Sequence, residues 1–600
     1  MELISKLIGN RLLSAVLLFL ISCALYSPSL KNDFVWDDIE MITKSNVLYD
    51  TSSIIYYVIP ENIENKQERY YRPLVYISWV TDNGFWGVSP FGYHLSNIVF
   101  HSLSVVLFYM FVVLALKEFG IVRNETAAFL SALFFAFHPM HVESVSWVAG
   151  RSDVLCALFL FLAFIFHILS YRSAWFLTLT GLSFLLSLFS KEVAIVFPVL
   201  ALAFDLMNRR LFAWRSVPRY AVYTGVALLY LYLRGLAFEI PEVNQGVVSE
   251  GVKQAADSGE HISRIPLYLE LTKILLSSYL VYMNKLILPF SFNPFITAVP
   301  REISCIVSSL VLLTVLGVLS FISIKKREKV TAFGIFWILV TLAPSTFIAI
   351  VSVSPTPLAE RYLYVPSAGF CLLIGYWIAE AARRAHFKTV AWGLGFLLTV
   401  MYVIVAYKGQ GVWREDLALW RDTSIKSPHH PLPHSNYGLA LSNNGELDEA
   451  IREFKIALSP EMKDSPRGLA VTANNLALVY LEKEEYEKAE KWFRKALEYD
   501  QGYGKTYYHL GLIYYINGEL TGSAGSYDEA ERFVKEALKR YKYYGRANLL
   551  LAKIYLRTGN KDKAREEART AIGTGLPENL LKEARNILEV DDNRSYQEPQ

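Results

Sequence analysis

Cysteine is scarce: the 600 residues hold four, Cys23, Cys156, Cys305 and Cys371, each inside an apolar run. No pair has zinc-like spacing, so they read as small buried apolar residues and support neither a disulfide framework nor a redox site. Charge is also thin, at 19% of residues and a net +3, with no basic domain suited to nucleic acid. The metalloprotease pattern His-Glu-x-x-His is absent. What is abundant is apolar surface: 53% of the chain is hydrophobic and 14% aromatic, mostly phenylalanine and tyrosine, a composition suited to many membrane interfaces.

These averages conceal a change near residue 408. Before it, long apolar runs alternate with short charged clusters; after it Glu, Lys, Ala and Tyr dominate. The pattern predicts an all-α polytopic membrane domain over 1–410, a linker at 411–430, a helical repeat domain over 431–580 and a partly disordered tail at 581–600. The opening run is read as a retained first helix with Lys6 and Arg11 on the cytoplasmic side. About eleven spans are expected, one of them at 145–168, with long outside loops at 29–91 and 236–302. In the first loop Arg69, Tyr70, Tyr71 and Arg72 are expected at headgroup depth, and residues 273–290 as an interfacial or re-entrant helix. Arg209, Arg210, Arg215 and Arg219, then 325–329, then Arg383, Arg384 and Lys388 mark cytoplasmic ends. This orientation, set by the basic clusters alone, puts the first loop, His138–Glu143, Lys191–Glu192 and Ala359–Arg361 on one outer face.

That face carries the chemistry. Asp37 and Asp38 adjoin in FVWDD just past the first span, where two carboxylates are costly without water or a partner. Arg151 and Asp153 open an apolar run, so pairing with each other or with the first-loop carboxylates is expected. Lys191-Glu192 and Glu360-Arg361 repeat the theme at two other span ends. His138, His141 and Glu143 follow one another closely, but Pro139 argues against a regular helix through the histidine pair. A structural ion-pair network and a catalytic site both account for these charges.

In the tail, Gly438, Ala450, Phe454 and Ala457 set a register. It recurs from Ala477, Gly511 and Ala552, after 39, 34 and 41 residues, as a 34-residue unit with two insertions would. Four tetratricopeptide-type helix pairs are expected. Asn436, Asn443, Asn474, Asn475 and Asn548 are candidates to line a concave groove for extended peptide, or are ordinary solvated and turn asparagines.

DFVWDD at 33–38, YRPL at 71–74, GYHLSNIVFH at 92–101, HPMHVESVSWVAGRSDVL at 138–155, SKE at 190–192 and AERYLYVPSAGFCLL at 359–373 together resemble the transmembrane and tetratricopeptide-repeat O-mannosyltransferase-like family. That family lies within the membrane-embedded C-type glycosyltransferase fold. The resemblance implies a polyprenyl-phosphate sugar donor, an outward-facing site, and transfer of a hexose to a Ser or Thr of an exported protein. Transfer to a glycan or lipid, and a membrane-anchored repeat scaffold, are the alternatives. It implies a catalytic group of Asp37, Asp38 and Glu143, with Asp38 the first choice of base and Asp37 the alternative. His138, His141, Arg151, Asp153, Lys191, Glu360 and Arg361 would form the donor pocket, the three cations facing its phosphate. No cofactor is expected, a divalent cation staying open; a protein partner of the repeats is a further possibility. Terse loops suit a bacterial inner-membrane protein, N-terminus cytoplasmic and repeats periplasmic.

Overall fold

The computed structural model describes residues 9–43, 59, 70–122, 125–210, 216–237, 264–290, 292–297, 299–300, 302–351, 356–462 and 464–589. Lys6, Arg69, Arg215, most of the second long loop and the segment 590–600 lie outside them. The chain divides into two compact units at Thr423 and Ser424.

The first unit is a multi-pass membrane domain. Among the described residues, eight helices are long and apolar enough to cross a bilayer. The helices that matter here are α1 (Arg11–Tyr26), α2 (Pro73–Trp86), α3 (Pro90–Glu118), α4 (Glu125–Phe137), α5 (Val142–Ser146), α6 (Arg151–Leu169) and α7 (Trp175–Ser190). They continue as α8 (Phe197–Met207), α9 (Val217–Ala237), α10 (Arg264–Ile287), α11 (Ile303–Lys326), α12 (Lys329–Val351), α13 (Tyr364–Arg383) and α14 (Lys388–Gln410). The shorter apolar helices α4, α7 and α8 occupy the three remaining places where spans were expected. Apolar side chains on α11, such as Val307, Val311 and Phe321, and on α14, such as Phe396, stand exposed, as lipid-facing residues would.

Two polar layers bracket the helices. At one end Arg11 pairs with Glu125 at 3.1 Å, Arg210 pairs with Glu118, Lys329 donates to Asn208 and Arg383 to the Val122 carbonyl. The other end holds the first loop and the starts of α3 and α6. Since α3 runs from Pro90 to Glu118, about 43 Å at 1.5 Å per residue, the layers sit a membrane thickness apart. One expected span differs. The run at 138–146 is a short 3₁₀ turn (Pro139–His141) and α5, and the membrane helix starts at Arg151 instead of 145. Pro139 breaks the regular ladder there, and Trp147 leaves α5 in an extended conformation.

A short helix, α15 (Asp416–Lys426), leads from the membrane domain into the repeats, where a linker was expected. The second unit is an α-solenoid of tetratricopeptide repeats. Its helix pairs are Pro431–Asn443 with Leu447–Ala457, Pro466–Glu482 with Tyr486–Tyr499, Gly504–Thr521 with Ala524–Arg540, and Gly545–Arg557 with Lys561–Gly573; Glu578–Leu588 closes the stack. The small residues of the register are fully buried, among them Ala489, Ala530, Ala552 and Ala568. A Cβ on Gly438 would lie 3.0 Å from the Phe454 ring, so the first pair depends on glycine for its close approach. Residues 424–589 expressed alone are expected to give a helical circular dichroism spectrum and one cooperative thermal transition, since each repeat buries its apolar face on the next. A coil-like spectrum would contradict this.

Candidate active site

The first loop turns sharply at Trp36, a bulky residue with φ +56°. A left-handed conformation costs such a residue about 1–3 kcal/mol and persists only where its surroundings over-determine it. Here they do. The Trp36 N–H donates to Asp416 Oδ1 at 2.8 Å, and its indole stacks on Trp147, centroids 5.0 Å apart, with Trp420 against its edge. Past the turn the two carboxylates go to different places.

Asp38 goes inward and is fully buried. Its Oδ1 accepts the Ala149 N–H at 2.8 Å and its Oδ2 the Val35 N–H at 3.3 Å. It therefore fastens the first loop to the segment between α5 and α6. Burial pushes its carboxyl up to about 8, against the pull of those amides. Asp37 is only half-buried; burial raises its pKa too, and the Arg361 charge draws it back.

Around this turn lie four cation–carboxylate pairs. Arg361 Nη1 donates to Glu143 Oε1 at 2.5 Å and the Arg361 N–H to Glu143 Oε2 at 2.9 Å. Lys191 Nζ lies 2.6 Å from both oxygens of Asp153. Arg72 pairs with Glu192 at 2.9 Å, and Lys285 with Glu360 at 2.6 Å. The pairs act on one another: burial lowers the Lys191 pKa, Asp153 raises it, and the charges of Arg72 and Arg361 push it lower. The guanidinium of Arg361 also rests over the Trp147 and Tyr362 rings. The result is a cluster of cations, each fixed by its own carboxylate, with Asp37 beside it.

Several sequence expectations need correction or refinement. Arg151 does not pair with Asp153 or with Asp37 and Asp38, but it does take a carboxylate of the first loop, Asp82. Two residues apart on one helix, Arg151 and Asp153 face different ways; Arg151 pairs with Asp82 at 2.5 Å and donates to Asn97, Ser78 and the Tyr93 carbonyl. Its side chain is fully buried and its donors are spent within the protein, whereas Arg72, Lys285, Arg361 and Lys191 keep 19%, 12%, 14% and 6% exposure. Tyr71 and Arg72 face the protein and not an interface: Tyr71 is buried against Phe189 and Tyr230, and Arg72 is held by Glu192, while Tyr70 stays exposed.

His138 and His141 are fully buried in an aromatic cluster with His101, Phe135, Tyr364 and Tyr402. His138 Nε2 lies 3.3 Å from the Leu286 carbonyl, and His141 Nε2 2.7 Å from Ser367 Oγ. Burial drives the His138 imidazole down to about 4 and lowers His141 strongly, so both are neutral packing groups behind the site. Glu360 accepts from Lys285 and from the Asn293 N–H at 2.7 Å; it orients a cation and is no phosphate contact. Among the described residues no group of three His, Cys, Asp or Glu side chains is placed to hold a metal ion, and the four cysteines are unpaired.

Of the repeat asparagines, Asn443 is exposed at a helix end and Asn436 and Asn475 are half-buried. Asn474 is buried and accepts from Thr506 at 3.1 Å and faces His509 Nδ1 at 3.0 Å, joining two repeats; Asn548 is buried as well.

Glycine at 150 is what lets α5 fold back on the start of α6. A Cβ there would lie 2.8 Å from the Glu143 carbonyl oxygen and 2.9 Å from Ser144 Cα. Both neighbours are backbone and cannot give way. Gly150→Ala is therefore expected to destabilise the membrane domain by about 1–3 kcal/mol, read as a lower thermal midpoint in detergent. An unchanged midpoint would show that the contact relaxes freely.

Residues 468–542 and 523–574 match models of the tetratricopeptide repeat. A protein O-mannosyl-transferase of Caenorhabditis elegans is 25% identical over 458 residues, covering 73% of this chain and 61% of the relative. The human protein O-mannosyl-transferase TMTC1 is 25% identical over 500 residues, covering 74% of this chain and 55% of the relative. The chain is a distant homologue of the protein O-mannosyl-transferases. It spans about half to two thirds of the length of these curated relatives. The homology supports a glycosyltransferase-like function in general terms. Among solved structures, MamA matches 28% of this chain and 88% of its own at 18% identity and a TM-score of 0.22.

For this mannosyl-transferase homologue, sequence reading overlooked Arg72 and Lys285 as site cations and Asp82 and Asp416 as anchors. Arg72 stands in YRPL, a motif that the resemblance already singles out. Asp416 sits between Trp413 and Trp420, and paired tryptophans just beyond a span were the available signal.

Proposed function

We propose that this protein transfers a hexose, mannose by its relationship, from a polyprenyl phosphate to a Ser or Thr hydroxyl of an exported protein. The observation that carries the reading is the half-buried Asp37 beside Arg361, a cation whose charge is felt in turn by Lys191, as is that of Arg72; the three cations are held in place by Glu143, Asp153 and Glu192. Asp37 is the base. It takes the hydroxyl proton while the hydroxyl oxygen bonds to the sugar's anomeric carbon, and the bond from that carbon to the phosphate oxygen breaks. The electron pair leaves with the phosphate, whose growing charge Arg361, Lys191 and Arg72 stabilise.

Asp38 is a positioning residue in this reading, since both its oxygens are engaged by backbone N–H groups. Glu143 plays the same part for Arg361. The site belongs to the outer face of a bacterial inner membrane, with the N-terminus inside and the repeats outside, where acceptor proteins emerge. The fold is then of the membrane-embedded C-type. Mass spectrometry of exported proteins and glycans from cells with the wild type, Asp37→Asn and no copy of the gene tests the proposal. Hexose on Ser or Thr in the wild type alone is expected. Identical protein and glycan profiles in all three would overturn it; hexose lost from a glycan or lipid would move the acceptor and keep the transferase.

A further inference from the structure

The stretch Gln410–Trp420, by which the chain leaves its last membrane helix, grips the end of α1 and the first loop at four successive points. Gln410 Nε2 donates to the Leu25 carbonyl at 3.0 Å, and Gln410 Oε1 accepts from Ser29 Oγ at 2.9 Å. The Arg414 carbonyl accepts the Asp33 N–H at 2.9 Å, and Asp416 Oδ1 accepts the Trp36 N–H at 2.8 Å. Trp413 extends the aromatic stack, its ring 5.6 Å from Trp147 and within 22° of parallel, while Trp420 meets the Trp36 edge. Phe295, set beside it by the Ile296–Leu358 bridge, closes the cluster.

We infer that Asp416 is a positioning residue of the transfer site: by holding the Trp36 N–H it fixes the left-handed turn that presents Asp37. The inference rests on Asp37 being the base, as proposed above. Its geometry is direct. Trp36 adjoins Asp37, its backbone is in a conformation that a tryptophan does not choose, and its amide has a carboxylate 380 residues away as acceptor. Without that acceptor the N–H loses its partner, and the loop can relax to a turn that keeps Asp38 bound to Ala149 yet swings Asp37 away from Arg361. The carboxylate also hydrogen-bonds the Trp420 side chain, so one residue sets both the backbone and one wall of the aromatic cluster. The stretch that leads to the repeats thereby contributes to the site itself.

The test uses the full-length chain in native-like membranes with a polyprenyl-phosphate hexose as donor. Asp416→Ala is expected to lower kcat about tenfold or more with donor KM changed less than about twofold, because the loss falls on the base and not on the phosphate contacts. Asp416→Asn keeps an acceptor oxygen for the Trp36 N–H and is expected within about threefold of wild type. Hydrogen exchange of the peptide spanning residues 33–40 should speed up in the alanine variant and not in the asparagine variant. Asp416→Glu, which displaces the acceptor by one methylene, serves if the alanine variant does not reach the membrane; the same fall in kcat is expected. Unchanged kcat in Asp416→Ala or Asp416→Glu, equal losses in Asp416→Ala and Asp416→Asn, or unchanged exchange at 33–40 in the alanine variant would overturn the inference. Should the wild type transfer no sugar, the transferase reading fails, and exchange alone decides whether Asp416 holds the loop.

Discussion

Asp37→Asn is expected to lower kcat for sugar transfer by about 10²–10⁴-fold, with donor KM little changed, because it removes the proton acceptor and leaves the cations in place. Asp38→Asn should behave differently. One of its two amide bridges loses its acceptor, so the expected result is a lower thermal midpoint, by about 1–3 kcal/mol of stability, with a partial loss of rate. The pH profile separates the two roles. Burial raises the Asp37 pKa above the ordinary carboxylate value, and the base works only when ionised. The rate should therefore rise with pH through that raised value, level off above it, and fall as pH drops below it. In Asp37→Asn the residual rate should lose that acid limb. A full acid limb in Asp37→Asn and its absence in Asp38→Asn would return the base to Asp38.

The second large effect concerns Arg361. Arg361→Met strands the Glu143 carboxylate, which is only 1% exposed, and an uncompensated buried charge costs about 3–5 kcal/mol. The variant is expected to be strongly destabilised in detergent. Adding Glu143→Gln removes the stranded charge and should recover most of the thermal midpoint. Activity should not recover with it, because the cation facing the donor phosphate is still missing. If the double variant regains both stability and rate, Arg361 is a structural partner of Glu143 and the phosphate role passes to Lys191 or Arg72.

What the sequence disclosed, and what it hid, follows from distance along the chain. The apolar runs and the small-residue register are local patterns, so the membrane helices and the repeats could be read directly from the periodicity. The grouping of span-end charges was legible as well: Asp37, Glu143, Lys191 and Arg361, expected on one face, come together in the structure. Pairing was not legible. Arg361 and Glu143 lie 218 residues apart, Arg72 and Glu192 120, and Trp36 and Asp416 380, and no local rule links them. Nearness in sequence misled instead. Arg151 and Asp153 share a motif but not a helix face, Asp37 and Asp38 adjoin but differ in burial just past a left-handed turn, and His138 and His141 mimic a ligand pair while packing among tyrosines. The fully buried state of Asp38 is what moves the proposed base to Asp37, because adjacency says nothing about which carboxylate the backbone claims.

A single carboxylate acting as base beside a phosphate-binding cation cluster prescribes a single displacement at the anomeric carbon, and that consequence can be measured directly. Purified protein in vesicles would be given a polyprenyl-phosphate hexose of defined anomeric configuration and a Ser/Thr peptide, and the linkage in the product read by nuclear magnetic resonance. The account predicts a glycopeptide whose anomeric configuration is inverted relative to the donor, formed by the wild type and not by Asp37→Asn. A product with retained configuration would contradict it, since retention requires a second displacement through a nucleophile for which this site assigns no residue.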